Sequence, residues 1–279
     1  MYKLHLFALS PSLPMVSSHL VDVFKGSSPF FKATYIVAYI EASEDPYLDA
    51  SKIYSKALRF PICGRAVFEI ICRLLKDYKS SPASSIQLPR RLFRPLFPMN
   101  GREWNDQDHP LPFLRDIYYT PNLPVNVDAH VGYALTKAVH AQFTPLVKFL
   151  LDNGASPNHR EGIAILIAIR SKDLDMFKML VERPQPRSAN LKSRDKVSDS
   201  SMMGVALLSG ASEIVKFYQE KGVVPDIAIL RKMVTYQFVT CDLYFTLLVF
   251  RQELETWPGE VSCNLEEYTI SAHIVSKGG

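Results

Sequence analysis

No run of apolar residues in this 279-residue chain exceeds about eight, the longest being GIAILIAI and LYFTLLVF. A helix that crosses a membrane needs ~20, so none is predicted. The start, MYKLHLFALSP, carries too short an apolar stretch for a secretion signal, broken by His5 and ended by Pro11. Cysteine is scarce: Cys63, Cys72, Cys241 and Cys263 lie far apart and form no CxxC. A chain of this length buries a sizeable core without disulfide staples. The cysteines therefore read as reduced thiols of an intracellular protein, with cytoplasm and nucleus undistinguished, and Cys72 and Cys241 are expected in the core. An excess of one charge is also missing. The net charge is +4; residues 1–125 hold 15 Lys/Arg against 11 Asp/Glu, and 126–279 hold 17 against 17. That balance argues against nucleic acid as a partner.

Catalytic signatures are absent too. There is no GxSxG, no HExxH, no glycine-rich phosphate loop and no Cys/His pair at ligand spacing. No cofactor is implied. The nearest thing to a metal set is EWNDQDH, with Glu103, Asp106, Asp108 and His109. Oxygen and imidazole ligands at short spacing suit a divalent ion, but nothing supplies further ligands or a second shell, and a solvated acidic loop is the plainer reading. LPRRLFRPLF sets Arg90, Arg91 and Arg94 among Phe93 and Phe97. Such a mixture binds phosphates or bases in some proteins. The plainer expectation is a short amphipathic turn, its Phe and Leu side chains inward and its arginines in water.

What is present is a repeated unit. In FTPLVKFLLDNGASPN, Thr144 and Pro145 open a helix, Thr144 being expected at the N-cap, and Leu146, Val147, Phe149, Leu150 and Leu151 form its apolar face. Gly154 stands where the chain turns left-handed. At about eight residues this helix is too short to persist alone, since isolated helices need ~12–15, so it must pack on neighbours. Upstream, GYALTKAVHA (132–141) is a second short helix, joined to the first by a corner at Gln142 and Phe143. Counting from Ala138, VKFLL begins nine residues on; from Ala168, FKMLV; from Ala206, VKFYQ. Sixteen residues after the same anchors stand Gly154, Pro184 and Gly222. Three registers agreeing at two offsets predict three helix–corner–helix units.

These units resemble the ankyrin repeat family, most closely in TPLVKFLLDNGASPN (144–158) and GASEIVKFYQEKG (210–222). The turn GASPN resembles the family's GADVN. The family opens its first helix with Thr-Pro-Leu-His, whose polar side chains tie neighbouring loops; here those positions read YALT, AILI and MMG, so those ties are missing. The anchor spacings are 30 and 38 residues, against about 33 in the family. The resemblance covers roughly 130–225. It implies an all-α solenoid acting as a protein-interaction module or adaptor, without catalysis, whose partner lies along a concave face. Carried onto this chain, that face comprises Lys137, His140 and Ala141; Ile167, Arg170 and Ser171; Val205, Leu208 and Ser209; and a tip at His159, Arg160 and Glu161. A mixed apolar and polar surface of this kind suits a protein partner.

The remaining organisation is read as follows. Residues 1–78 form a helical N-terminal region, with helices over 14–24, 29–41, around KIYSKALRF, and over 65–78. Residues 79–129, rich in proline, are mostly irregular. Repeat units lie near 130–158, 159–184 and 198–225, with an exposed polar loop between the second and third. A degenerate cap over 226–255, with Asp226 at a helix start, closes the stack, and 256–279 form a tail. Two other functional readings fit: an enzyme or metal site in the N-terminal half with the repeats as its recruiting arm, and a structural subunit of a larger assembly.

Overall fold

A computed structural model describes residues 18–42, 45, 47–76, 78, 84–99, 101–119, 124–182 and 199–225. The expected cap over 226–255 with Asp226, the tail, the inter-unit loop from 183 to 198, and Cys241 and Cys263 lie outside them. Among the described residues the chain is almost wholly helical: α1 (Ser18–Lys25), α2 (Pro29–Glu41), α3 (Ala50–Ala57), α4 (Arg65–Leu74), α5 (Leu111–Tyr119), α6 (Ala129–His140), α7 (Thr144–Asp152), α8 (His159–Arg170), α9 (Leu174–Val181), α10 (Asp199–Ser209) and α11 (Ser212–Glu220). Two short strands, β1 (Ile86–Gln87) and β2 (Val125–Asn126), pair in parallel, Ile86 opposite Val125.

The spacings seen in the sequence recur in the backbone. Ala138, Ala168 and Ala206 are all fully buried, and Val147, Phe177 and Val215 nine residues after them are buried too. A methyl group at the anchor lets the paired helices approach closely. Each first helix ends on a left-handed residue: Gln142 (φ 55°), Lys172 (φ 58°) and Gly210 (φ 65°). In each, the amide one residue further on donates to the anchor carbonyl: Phe143 to Ala138 at 3.0 Å, Asp173 to Ala168 at 3.2 Å, Ala211 to Ala206 at 3.0 Å. This is the αL helix stop that satisfies otherwise orphaned carbonyls. Gly154 and Gly222 close α7 and α11 in the same way, with Ala155 bonding Leu150 and Val223 bonding Tyr218. The first helices α6, α8 and α10 pack on one another in order, and the second helices α7, α9 and α11 do likewise.

One detail differs from expectation. Thr144 is the first residue of α7 and exposed; Phe143 occupies the N-cap without a side-chain bond. The fully buried Phe143 ring fixes the corner, so packing rather than a hydroxyl sets where the helix begins.

The entry to each of the first two units is also repeated. His130, Val131 and Gly132 are left-handed (φ 58°, 62°, 69°), and thirty residues on so are Arg160, Glu161 and Gly162 (φ 51°, 57°, 69°). Asp128 ties the entries of these two units together. Its Oδ1 accepts from the Ser156 amide at 3.0 Å, and its Oδ2 lies 3.1 Å from His159 Nε2. His159 in turn covers Gly132 so closely that an added Cβ would sit 3.0 Å from His159 Cβ. Gly132→Ala is expected to lower stability by about 2 kcal/mol, from left-handed strain plus displacement of His159. Gly154→Ala, also left-handed (φ 89°) but with nothing within 4 Å, supplies the strain alone. Equal losses for the two in urea titration would show that the approach of His159 contributes nothing.

In the N-terminal half α2 packs on α3 and α4. The proline-rich segment is not uniformly irregular. It contains α5, which follows Pro110 and carries Pro112 in its first turn, where a missing amide hydrogen costs nothing. Residues 84–97 bridge the N-terminal helices and the first repeat unit. On one side Ser51 Oγ donates to the Ser84 carbonyl at 3.2 Å and the Gln87 amide donates to Ser55 Oγ at 2.8 Å. On the other, β1 joins β2 just before α6.

Candidate functional site

The shared register places the expected partner-binding residues in rows across the three first helices. His140, Arg170 and Leu208 occupy equivalent positions near the ends of α6, α8 and α10. All three are exposed, Leu208 by 54%. One row inward, Lys137, Ile167 and Val205 are half-buried. Of the next row Ser171 is exposed, Ser209 half-buried and Ala141 fully buried. At the tip, Arg160 and Glu161 are exposed, while His159 is half-buried and held between Asp128 and Gly132. His159 therefore serves as a joint between units.

Two of these positions meet the proline-rich segment. The Lys137 ammonium lies 4.6 Å from the centre of the Phe97 ring, a cation–π contact that partly satisfies its charge. Arg90 lies over Tyr133 at 5.4 Å. Phe97 stays 60% exposed, so with Lys137 it forms a mixed patch next to His140 in sequence register. The Ala141 carbonyl accepts from Trp104 Nε1 at 2.8 Å, and the indole stacks on Phe143 at 4.5 Å and 12°. Sequence reasoning missed Phe97, Trp104 and Asp128 as parts of this region. Only Asp128 left a signal, standing thirty residues before Asn158 in the same register.

LPRRLFRPLF departs from the amphipathic turn expected of it. Leu92, Phe93 and Leu96 are buried as expected, but Phe97 points outward. Arg91 is not in water: its Nε donates to the Leu58 carbonyl at 2.5 Å and its Nη2 to the Cys63 carbonyl at 3.0 Å. Those carbonyls end α3 and its following turn, where the helix leaves acceptors unfilled.

The EWNDQDH residues build the loop that carries Trp104. Asp108 Oδ1 accepts from Arg102 at 2.6 Å and its Oδ2 from the Asn105 amide at 2.8 Å; Asp106 pairs with Arg115 at 3.2 Å. Glu103 is exposed. Among the described residues no group of three or more His, Cys, Asp or Glu side chains is placed to hold a metal ion. Cys63 is fully buried and Cys72 half-buried, the reverse of the emphasis expected from their neighbours. Burial pushes the Cys63 thiol up to about 12, only partly opposed by Arg91, and the Cys72 thiol up to about 11. Burial thus favours the neutral thiol at both positions. No helix among the described residues is long and apolar enough to cross a membrane.

Comparison with protein-family models, curated proteins and solved structures gives no match for this chain.

Proposed function

We propose that the chain is a protein-interaction module built as an ankyrin-like solenoid, and that it binds an intracellular protein partner along the face of its first helices. The observation that carries this reading is the exposed row His140, Arg170 and Leu208, held at equal register by three buried alanine anchors. A stiff row offering an imidazole, a guanidinium and an isobutyl group suits a mixed apolar and polar partner surface. Stiffness matters because ordering costs subtract from affinity. Phe97 and Lys137 extend the face on one side, and Ile167 and Val205 line it from below. Arg160 and Glu161 contribute at the tip. Arg170 makes no ion pair among the described residues, which leaves its fork for a partner carboxylate.

A His140→Ala/Arg170→Ala/Leu208→Ala variant should keep the far-UV circular dichroism of the parent and lose at least tenfold in partner recovery from source-cell extract. A few anchors dominate such interfaces. Lys148→Ala/Lys216→Ala, altering exposed positions of the second helices, should recover the partner as the parent does. Equal recovery by both variants would place the site elsewhere on the chain. If no protein is retained by the parent, the adaptor reading fails.

A further inference from the structure

A cleft of about 350 Å³ opens between the α3–α4 turn and the start of α5, lined by Cys63, Gly64, Arg65, Arg91, His109 and Phe113, with two prolines at its sides. That volume sits at the low end of small-molecule sites. We propose that this cleft binds a small organic anion, its carboxylate or phosphate head held by Arg91 and Arg65 and its apolar body against Phe113 and the prolines. This site is separate from the repeat face and does not depend on it.

Arg91 is the centre of the argument. A guanidinium has five N–H donors in one plane. Two are used on the Leu58 and Cys63 carbonyls, which lock the plane in place. No described carboxylate pairs with it. Among the described residues this half-buried cation is satisfied only by neutral carbonyls, without the counter-charge that normally accompanies burial. Its pKa is held below the ordinary value by burial, the direction that a bound anion would reverse. At the rim, Arg65 Nε lies 2.8 Å from Asp116 Oδ2, which orients a second guanidinium and leaves its other donors free of described carboxylates. His109 is held below its usual value, first by burial and then by Arg91. A bound anion between the two cations would raise it.

The plainer role for Arg91 is closure of the α3 turn, with water in the cleft. Substituting Arg91 cannot separate the two, because the turn depends on it. Gly64 can. It is the N-cap of α4, extended (φ −91°, ψ −175°), with no side-chain cap, and an added Cβ meets nothing within 4 Å. In Gly64→Asp a carboxylate can accept from the first α4 amides, as N-cap aspartates do, while placing a fixed negative charge at the mouth of the cleft.

Isothermal titration of the full chain with phenyl phosphate, benzoate and phenol at constant ionic strength is the test. Saturable one-to-one binding of phenyl phosphate or benzoate is expected, with none for phenol, and the stronger of the two anions identifies the head group. Gly64→Asp should weaken that binding at least tenfold without lowering the melting temperature. The proposal is overturned if neither anion saturates by about 10 mM, if phenol binds as well as the anions, or if Gly64→Asp binds like the parent.

Discussion

Replacement of Phe177 by alanine is expected to destabilise the second and third units by about 3–5 kcal/mol, the range for emptying a fully buried aromatic site. The ring has no exposure and packs edge-on against Phe217 at 5.5 Å and Tyr218 at 5.4 Å. These contacts join α9 to α11, so the loss falls on the interface between neighbouring units. If the units stack as the proposed solenoid does, each touching only its neighbours, weakening one interface uncouples what lies beyond it. A loss of this size is a large part of a typical domain's ~5–15 kcal/mol. The check is urea unfolding in a Trp257→Phe background. Circular dichroism reports all helices, while Trp104 fluorescence reports the first unit alone, through its stack on Phe143. In Phe177→Ala the helical signal should fall at lower urea than the fluorescence. Coincident transitions at the parent's midpoint would refute neighbour-only coupling at this ring.

Trp104→Ala is expected to cost about 2–4 kcal/mol. It removes the stack on Phe143 and exposes the Phe143 ring, which is otherwise fully buried. It also leaves the Ala141 carbonyl, the acceptor at the end of α6, without its indole donor. Trp104→Phe separates the two contributions, keeping an aromatic face and losing only the hydrogen bond, at about 1 kcal/mol. The loop that presents Trp104 is held by Asp108 through Arg102 and the Asn105 amide. Asp108→Asn should therefore weaken the same contact indirectly and by less. If Trp104→Ala melts with the parent by calorimetry, the proline-rich segment is not part of the cooperative fold.

These two residues divide what was legible in the sequence from what was not. The helix–corner–helix pairs were legible because their determinants are local. A small residue at a fixed helix position, an apolar stripe nine residues on and a left-handed stop each act within one turn or one corner, and each leaves its mark at constant spacing. Ala138, Ala168 and Ala206 are buried for the reason their spacing suggested. The rows His140–Arg170–Leu208 and Lys137–Ile167–Val205 follow from the same periodicity, and the first of them is exposed throughout.

The proline-rich segment was not legible because its determinants act at a distance. Trp104 finds Ala141 37 residues later, and Arg91 reaches carbonyls 33 and 28 residues earlier. No local pattern encodes such partners. Proline itself misleads here, since Pro110 and Pro112 mark the start of α5 rather than its absence. The acidic EWNDQDH run reads as a solvated loop until Arg102 and Arg115 are seen to engage Asp108 and Asp106. Lys137 reads as a free surface charge until Phe97 comes to lie under it. The sequence by itself determined the helical periodicity, the unit spacing and the exposed row, because each depends on residues within one unit. Tertiary structure alone decided how the segment before the repeats docks, which cations it engages and which carbonyls Arg91 reaches, because those depend on contacts between parts of the chain with no shared period.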